Sequence, residues 1–515
     1  MSDRLTALDA SFLHLEDGSS HMHVAGVSIF QGEVPSYDDL LAHIEERLTL
    51  VPRFRQKLRF VPLSQGRPVW VDDPHFNLRY HVRATALPPP GSEEQLKNLA
   101  SRVFAQQLDR TKPLWEIWLV EGLGPADGAS PRGENGEGQL DDPPPRFALL
   151  SKTHHALVDG VAGVDITAVL FDTAPDPETP PGSGSTWVPR PEPTSMQLLG
   201  DALIERAIQP AEIIRSARSA FRAPRRLVSK GIDSLAAVGV LARTGLGAPP
   251  TPLNVEIGPH RRFDWVRTDL NEIKEIKNAL GGTVNDVVVA VVTGALREFL
   301  KQRGEQVDAL TMKAMVPVSV RRDEEYGMIG NRVAAMMAPL PIYEADPVER
   351  LRIVSAALGD LKQSGQAVGA EMLTQLSGFA PQTVLAQAGR LQARQRFFNL
   401  VITNVPGPQI PLYVLGRKLE DVFPLAPLAQ RQALCIAIMS YNGKLNFGLL
   451  ADYDAMGDLY LVAQGIRDSI DELRAAAGLT KRKGRRPARR RPAVTSPANG
   501  SNGSSGESEK PSDRV

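Results

Sequence analysis

The sequence predicts a mixed α/β protein with two large domains, and three observations carry that expectation. A chain of 515 residues is too long for a single hydrophobic core. Its 42% hydrophobic content is enough to fill globular cores. Segments with strand character alternate with amphipathic helical ones, and a Pro/Gly-rich stretch, APDPETPPGSGSTWVPRPEP, interrupts the series. The expected division is a first domain over 1–175, a Pro/Gly linker and basic helical bridge over 176–253, a second domain over 254–478 and a disordered tail over 479–515.

Taken in order, the first strand runs from about His23 to Phe30. His21 and His23 are two apart and would share a strand face; with no third ligand in sight they read as structural, and no metal site is expected. SYDDLLAHIEERLTL reads as a helix capped by Ser36, and EEQLKNLASRVFAQQL as one capped by Ser92. Between them, RPVWVDDPHFNLRYHVRATALP alternates like a strand pair broken at Pro74. In LDRTKPLWEIWLVEGL, Trp115 and Trp118 are three apart, so in a strand they face opposite ways, which suits either a core strand with one interfacial Trp or a substrate contact. Residues from about Thr194 to Leu246 look helical and basic, including Arg206 and Lys230, which suits an interdomain bridge or a helix lying on anionic lipid. In the second domain, Thr283, Asn285 and Asp286 stand at a helix start. A strand ends at Arg321, and Asn442-Gly443 marks a two-residue hairpin turn.

The stretch FALLSKTHHALVDG holds the most chemistry. Neighbouring strand side chains point to opposite faces, so His154 and His155 cannot share one task. One should face a cavity at the strand end and the other the supporting layer. Asp159 and Gly160 fall where a turn meets a helix start, where a carboxylate can orient a loop and a glycine lets a backbone N–H approach a ligand. An imidazole titrates near neutrality and suits general base work.

Composition narrows the alternatives. Cys435 is the only cysteine, which removes intrachain disulfides and Cys-based metal clusters. There is no HExxH, no G-x-S-x-G elbow and no Gly-rich phosphate loop. The N-terminus lacks a signal-peptide pattern, so a cytoplasmic location is expected. The most apolar run, Val287 to Leu296, is too short to span a bilayer, so any membrane contact is peripheral. From Lys481 to Val515 ten Lys/Arg face three Asp/Glu, which leaves the zero-charge chain with a mildly acidic body that does not read as a nucleic-acid binder. The tail suits an anionic bilayer or lipid-droplet surface instead.

HHALVDG resembles the HHxxxDG motif of acyltransferases that act on acyl-CoA or pantetheine thioesters. PLWE from Pro113, NDVVVA from Asn285, the strand–arginine–IGN segment around Arg321 and TNVPGP from Thr403 narrow the resemblance to the bacterial wax ester synthase/acyl-CoA:diacylglycerol acyltransferase family, over about residues 3–475. That resemblance implies two chloramphenicol acetyltransferase-like (condensation-domain-like) domains joined by a helical linker, with a tunnel between them as the active site. It implies a diacylglycerol O-acyltransferase or long-chain-alcohol O-fatty-acyltransferase, with acyl-CoA as substrate and no cofactor. His155 would be the base and His154 its support. Asp159 and Gly160 would complete the motif, with Asp159 paired to the structural Arg321. Asn285, Asp286 and Trp115 would contact substrate, and the Gly160 region or Asn285 would meet the developing oxyanion. Two rivals remain: a condensation enzyme using a carrier-bound thioester, against which the motifs beyond HHxxxDG speak, and a catalytically silent lipid-binding protein, against which the intact His155, Asp159 and Gly160 set speaks.

Overall fold

In the computed structural model the described residues are 3–64, 66–126, 144–158, 169–177, 187–204, 247–319, 333–363 and 397–479. The first half runs β1 (Asp3–Arg4), α1 (Ala7–Leu15), β2 (His23–Gln31), α2 (Tyr37–Arg47), β3 (Gln56–Arg59), β4 (Val69–Asp72), α3 (Leu78–His81), β5 (Val82–Ala86), α4 (Glu93–Ala105), β6 (Trp115–Leu123), β7 (Arg146–His154) and α5 (His155–Val158). The second runs β8 (Arg261–Asp269), α6 (Leu270–Leu280), α7 (Val284–Gln302), β9 (Thr311–Ser319), β10 (Val333–Pro341), α8 (Pro347–Gln363), β11 (Leu400–Pro406), β12 (Tyr413–Val414), β13 (Arg417–Leu425), β14 (Leu434–Tyr441), β15 (Lys444–Asp452) and α9 (Leu459–Ala476).

These strands build two mixed six-stranded sheets, ordered β12-β13-β2-β7-β6-β5 and β10-β9-β11-β14-β15-β8, and a small sheet β1-β4-β3. Helix starts follow the capping residues: Ser36, Ser92 and Thr283 each accept from the backbone N–H three residues on, and Ser92 and Thr283 complete capping boxes with Gln95 and Asp286. Asn442 and Gly443 both take positive φ, at 44° and 82°, as a tight hairpin between β14 and β15 requires. α7 is apolar on nearly every side and buried from Asp286 to Leu296, so it is the central helix of the second half's core. No single described helix is long and apolar enough to cross a membrane.

Two features depart from the sequence reading. The strand pair expected around Pro74 does not form: β4 joins the small sheet, whereas β5 lies parallel to β6 in the first large sheet. Alternation gives each strand a face but names no partner. β13, from the second half of the chain, leaves that half and pairs antiparallel with β2. It crosses β15 so closely that a Cβ on Gly448 would sit 1.9 Å from the Pro424 carbonyl oxygen. Only glycine fits there. The crossover ties the halves together, and all the described residues belong to one compact unit, Met1–Thr480.

Candidate active site

β7 lies between β2 and β6, with His154 opposite His23 and Thr153 opposite Trp115. The strand ends at His154, and the chain turns at once into α5, with the His155 N–H donating to the Met22 carbonyl at 2.8 Å. The two histidines diverge. His154 is 1% exposed. The backbone N–H of Ala156 donates to its Nδ1 at 3.1 Å, so the ring proton sits on Nε2, 3.3 Å from a Glu16 carboxylate oxygen. His155 is half-buried, and its ring stacks on Phe12 with centroids 4.0 Å apart.

A polar layer underlies the pair. The Arg110 guanidinium donates to Glu16 at 2.9 Å, and His23 Nε2 lies 3.4 Å from the other Glu16 oxygen. Burial works against ionising Glu16, but the bonds from His154 and His23 outweigh it and hold its carboxyl well below the usual carboxylate range. Burial pushes His23 down to about 3 despite Glu16 beside it. On the His154 side of β7, the Lys152 ammonium is 2.6 Å from Glu116 and donates to the Val103 and Gln106 carbonyls at 2.8 Å each, which closes the end of α4. Burial lowers its pKa, and Glu116 opposes the shift.

A second charged cluster joins the halves. Arg267 of β8 donates two bonds of 2.7 Å to Glu93 of α4 and one of 2.8 Å to Asp421 of β13. Arg146, at the start of β7, also reaches Glu93, and Lys444 reaches Asp421, each at 2.8 Å. The histidine strand is thereby fixed to both halves at its far end.

The other predicted residues fall less close to the chemistry. Asp159, Gly160 and Arg321 lie outside the described residues. Asp286 is buried, its carboxylate accepts from the Thr283 N–H and the Ser355 hydroxyl, and it caps α7. Trp115 is 1% exposed, its indole N–H donates to the Phe54 carbonyl, and its ring stacks on His81. Asn285 is half-buried and accepts a bond from the Asn404 amide at 3.2 Å. The His21 and His23 rings lie with centroids 5.5 Å apart, and among the described residues no group of three His, Cys, Asp or Glu could hold a cation. Cys435 is buried with its thiol pushed up to about 12 by desolvation, which disarms it as a nucleophile. A cavity of about 380 Å³ borders Arg110, with Arg83, Asp109 and Glu116 on its walls beside Tyr80, Leu108 and Trp115.

Glu16, Phe12 and Arg110 escaped the sequence reading. Nothing in one sequence says that Glu16 meets a histidine 138 residues away.

Comparison with known proteins gives this geometry its context. The family model for the wax ester synthase/diacylglycerol acyltransferase catalytic domain matches residues 5–129 and 137–288, and that for the family's C-terminal domain matches residues 329–474. The chain is 34% identical over 492 residues to the probable diacylglycerol O-acyltransferase tgs1 of Mycobacterium tuberculosis, covering 94% of this chain and 98% of that one. A solved wax ester synthase/diacylglycerol acyltransferase from Marinobacter aquaeolei superposes with a TM-score of 0.60 at 28% identity, over 92% of this chain and 100% of that one. The starter condensation domain of rhizomide synthetase bound to C8-CoA shares the fold, with a TM-score of 0.54 at 13% identity over 93% of this chain and 95% of that one. The chain belongs to the wax ester synthase/diacylglycerol acyltransferase family.

Proposed function

We propose that the protein transfers the acyl group of an acyl-CoA directly to the hydroxyl of diacylglycerol or a long-chain alcohol, with His155 as the base. The observation that carries this reading is the divergence of the two histidines. His154 is committed to Glu16 and the Ala156 N–H, whereas His155 opens the next helix on the far side of the turn. An imidazole nitrogen of His155 takes the acceptor's O–H proton as the oxygen attacks the thioester carbonyl carbon. The C–S bond then breaks, and the imidazolium returns the proton to the departing thiolate, so ester and free CoA leave with atoms and charge balanced. Asn285, turned by Asn404, and the Gly160 region supply donors for the oxyanion. The buried, desolvated Cys435 argues against an acyl-enzyme. Acyl-CoA is consumed as a substrate, and the chemistry calls for no cofactor.

The relatives' names support the acceptor class, and a panel assay tests it. Purified protein with labelled acyl-CoA should yield triacylglycerol from diacylglycerol or wax ester from long-chain alcohols. Free CoA released at equal rates with and without acceptors would mean hydrolysis and sink the reading. Peripheral contact with an anionic membrane or lipid droplet at the cytoplasmic face fits the eight Lys/Arg between Lys481 and Pro492. Truncation after Thr480 should then weaken salt-sensitive binding to anionic vesicles, and unchanged binding would place the contact elsewhere.

A further inference from the structure

We propose that Glu16 is a positioning residue that sets the direction of His155 through His154; the inference rests on the assignment of His155 as the base. The Ala156 N–H can only donate, so the His154 Nδ1 it meets at 3.1 Å must be bare. That bond makes the His154 imidazole the cap of α5, satisfying a donor that the first turn of a helix would otherwise leave unpaired. The ring's one proton is then on Nε2, and it points at Glu16 Oε2. A ring turned over would set a C–H, and a ring protonated on Nδ1 an N–H, against the Ala156 N–H, and either would release the turn that carries His155.

Glu16 does not act alone. Phe12 and Glu16 are four residues apart at the end of α1, hence on one face, and the Glu16 N–H donates to the Phe12 carbonyl at 3.2 Å. Phe12 stacks on the His155 ring, and Glu16 holds the His154 ring. One helix end therefore clamps both histidines, and the Met22 carbonyl, six residues on, takes the His155 N–H. Arg110 fixes the clamp in turn, donating to Glu16 and to the Leu13 carbonyl at 3.1 Å. A carboxylate serving only to neutralise Arg110 would have no reason to meet His154 along the proton of one tautomer.

The test uses the full chain with Glu16→Gln, Glu16→Leu, His154→Asn and the double variant. Glutamine keeps a carbonyl oxygen for the Nε2 proton, and leucine removes it. We expect Glu16→Leu to lower kcat about 10²-fold with little change in the KM for acyl-CoA, and Glu16→Gln to restore most of the loss. Imidazole nitrogen NMR should show His154 as the Nε2–H tautomer in the wild type and in Glu16→Gln, and as a mixture in Glu16→Leu. Asparagine at 154 offers an oxygen where Nδ1 stood, so adding Glu16→Leu to His154→Asn should cost kcat nothing further. A folded Glu16→Leu with wild-type kcat, an Nε2–H tautomer that survives without Glu16, or additive losses in the double variant would overturn the proposal. Should Glu16→Leu unfold, His154→Asn decides: a loss of no more than about tenfold supports the capping role, and a loss equal to that of His154→Ala overturns it. The tautomer signal does not depend on which residue is the base, so full turnover by His155→Ala would remove the catalytic assignment and leave the contact chain separately readable.

Discussion

The fourth strands of the two large sheets, β7 in one and β14 in the other, occupy matching places and carry opposite chemistry. β7 holds Lys152 and His154 in its interior, each with an ionised or hydrogen-bonding partner from another element. β14, sequence LCIAIMSY, holds Cys435 among apolar neighbours and little else that titrates. Eight of the nine histidines lie in the first half of the chain, and only His260 in the second. Two similar sheets thus divide the work. The first bears groups whose burial is offset by Glu16, Glu116 and Arg110, and the second presents α7, apolar on nearly every side, with Asn285 at its start. Burying a polar layer under a strand is costly without partners, and under β7 those partners are Glu16, Glu116 and Arg110.

The comparison breaks most sharply at His155. His155→Ala should lower turnover about 10²–10⁴-fold while thermal unfolding stays near wild type, because the ring is only half-buried where it stacks on Phe12. Near-normal turnover in the purified variant would return both sheets to equal standing. Next in size is the ionic link between them. Arg267→Met strands part of the charge on Glu93 and Asp421 and should cost about 3 kcal/mol, at the low end for a broken buried pair because Arg146 and Lys444 remain. Urea unfolding of Arg267→Met, Glu93→Gln and the double variant measures it; strict additivity would mean that the halves are held by β13 alone.

Acid should then separate the two halves. Burial holds His23 down to about 3 and His81 to about 4, both from 6.5. Between those values the unfolded chain binds more protons than the folded one, so this contribution is intact above pH 6.5 and is lost as pH falls toward 4. Each histidine tilts stability by up to about 1.4 kcal/mol per pH unit in that window. Hydrogen exchange at pH 5.5 against 7.5 should show the first sheet opening while the second stays protected; equal loss of protection would contradict the asymmetry. The smallest effect belongs to Cys435→Ala, which should leave turnover within a few-fold and cost about 1 kcal/mol for the lost apolar contact. An acyl group found on Cys435 by mass spectrometry would reverse the roles assigned to the two strands.

By itself the sequence determined the local elements and the divergence of the two adjacent histidines. Ser36, Ser92 and Thr283 announce helix starts, Asn442-Gly443 a hairpin, and the adjacency of His154 and His155 at a strand end their different surroundings, because capping, turn geometry and the alternation of a strand are short-range rules. Partners at long range were decided only by the tertiary structure. β5 beside β6, β13 beside β2, Trp115 sealed against His81 and Phe54, and Glu16 beneath His154 all join residues brought together by burial, where each polar atom takes whichever partner the packed interior offers. Asp286 shows the boundary between the two: its place at a helix start was legible, but its bond to Ser355, 69 residues on, commits the carboxylate to the core. A pattern in one sequence can say which side of an element is buried, but what lies against that side is set by the fold as a whole.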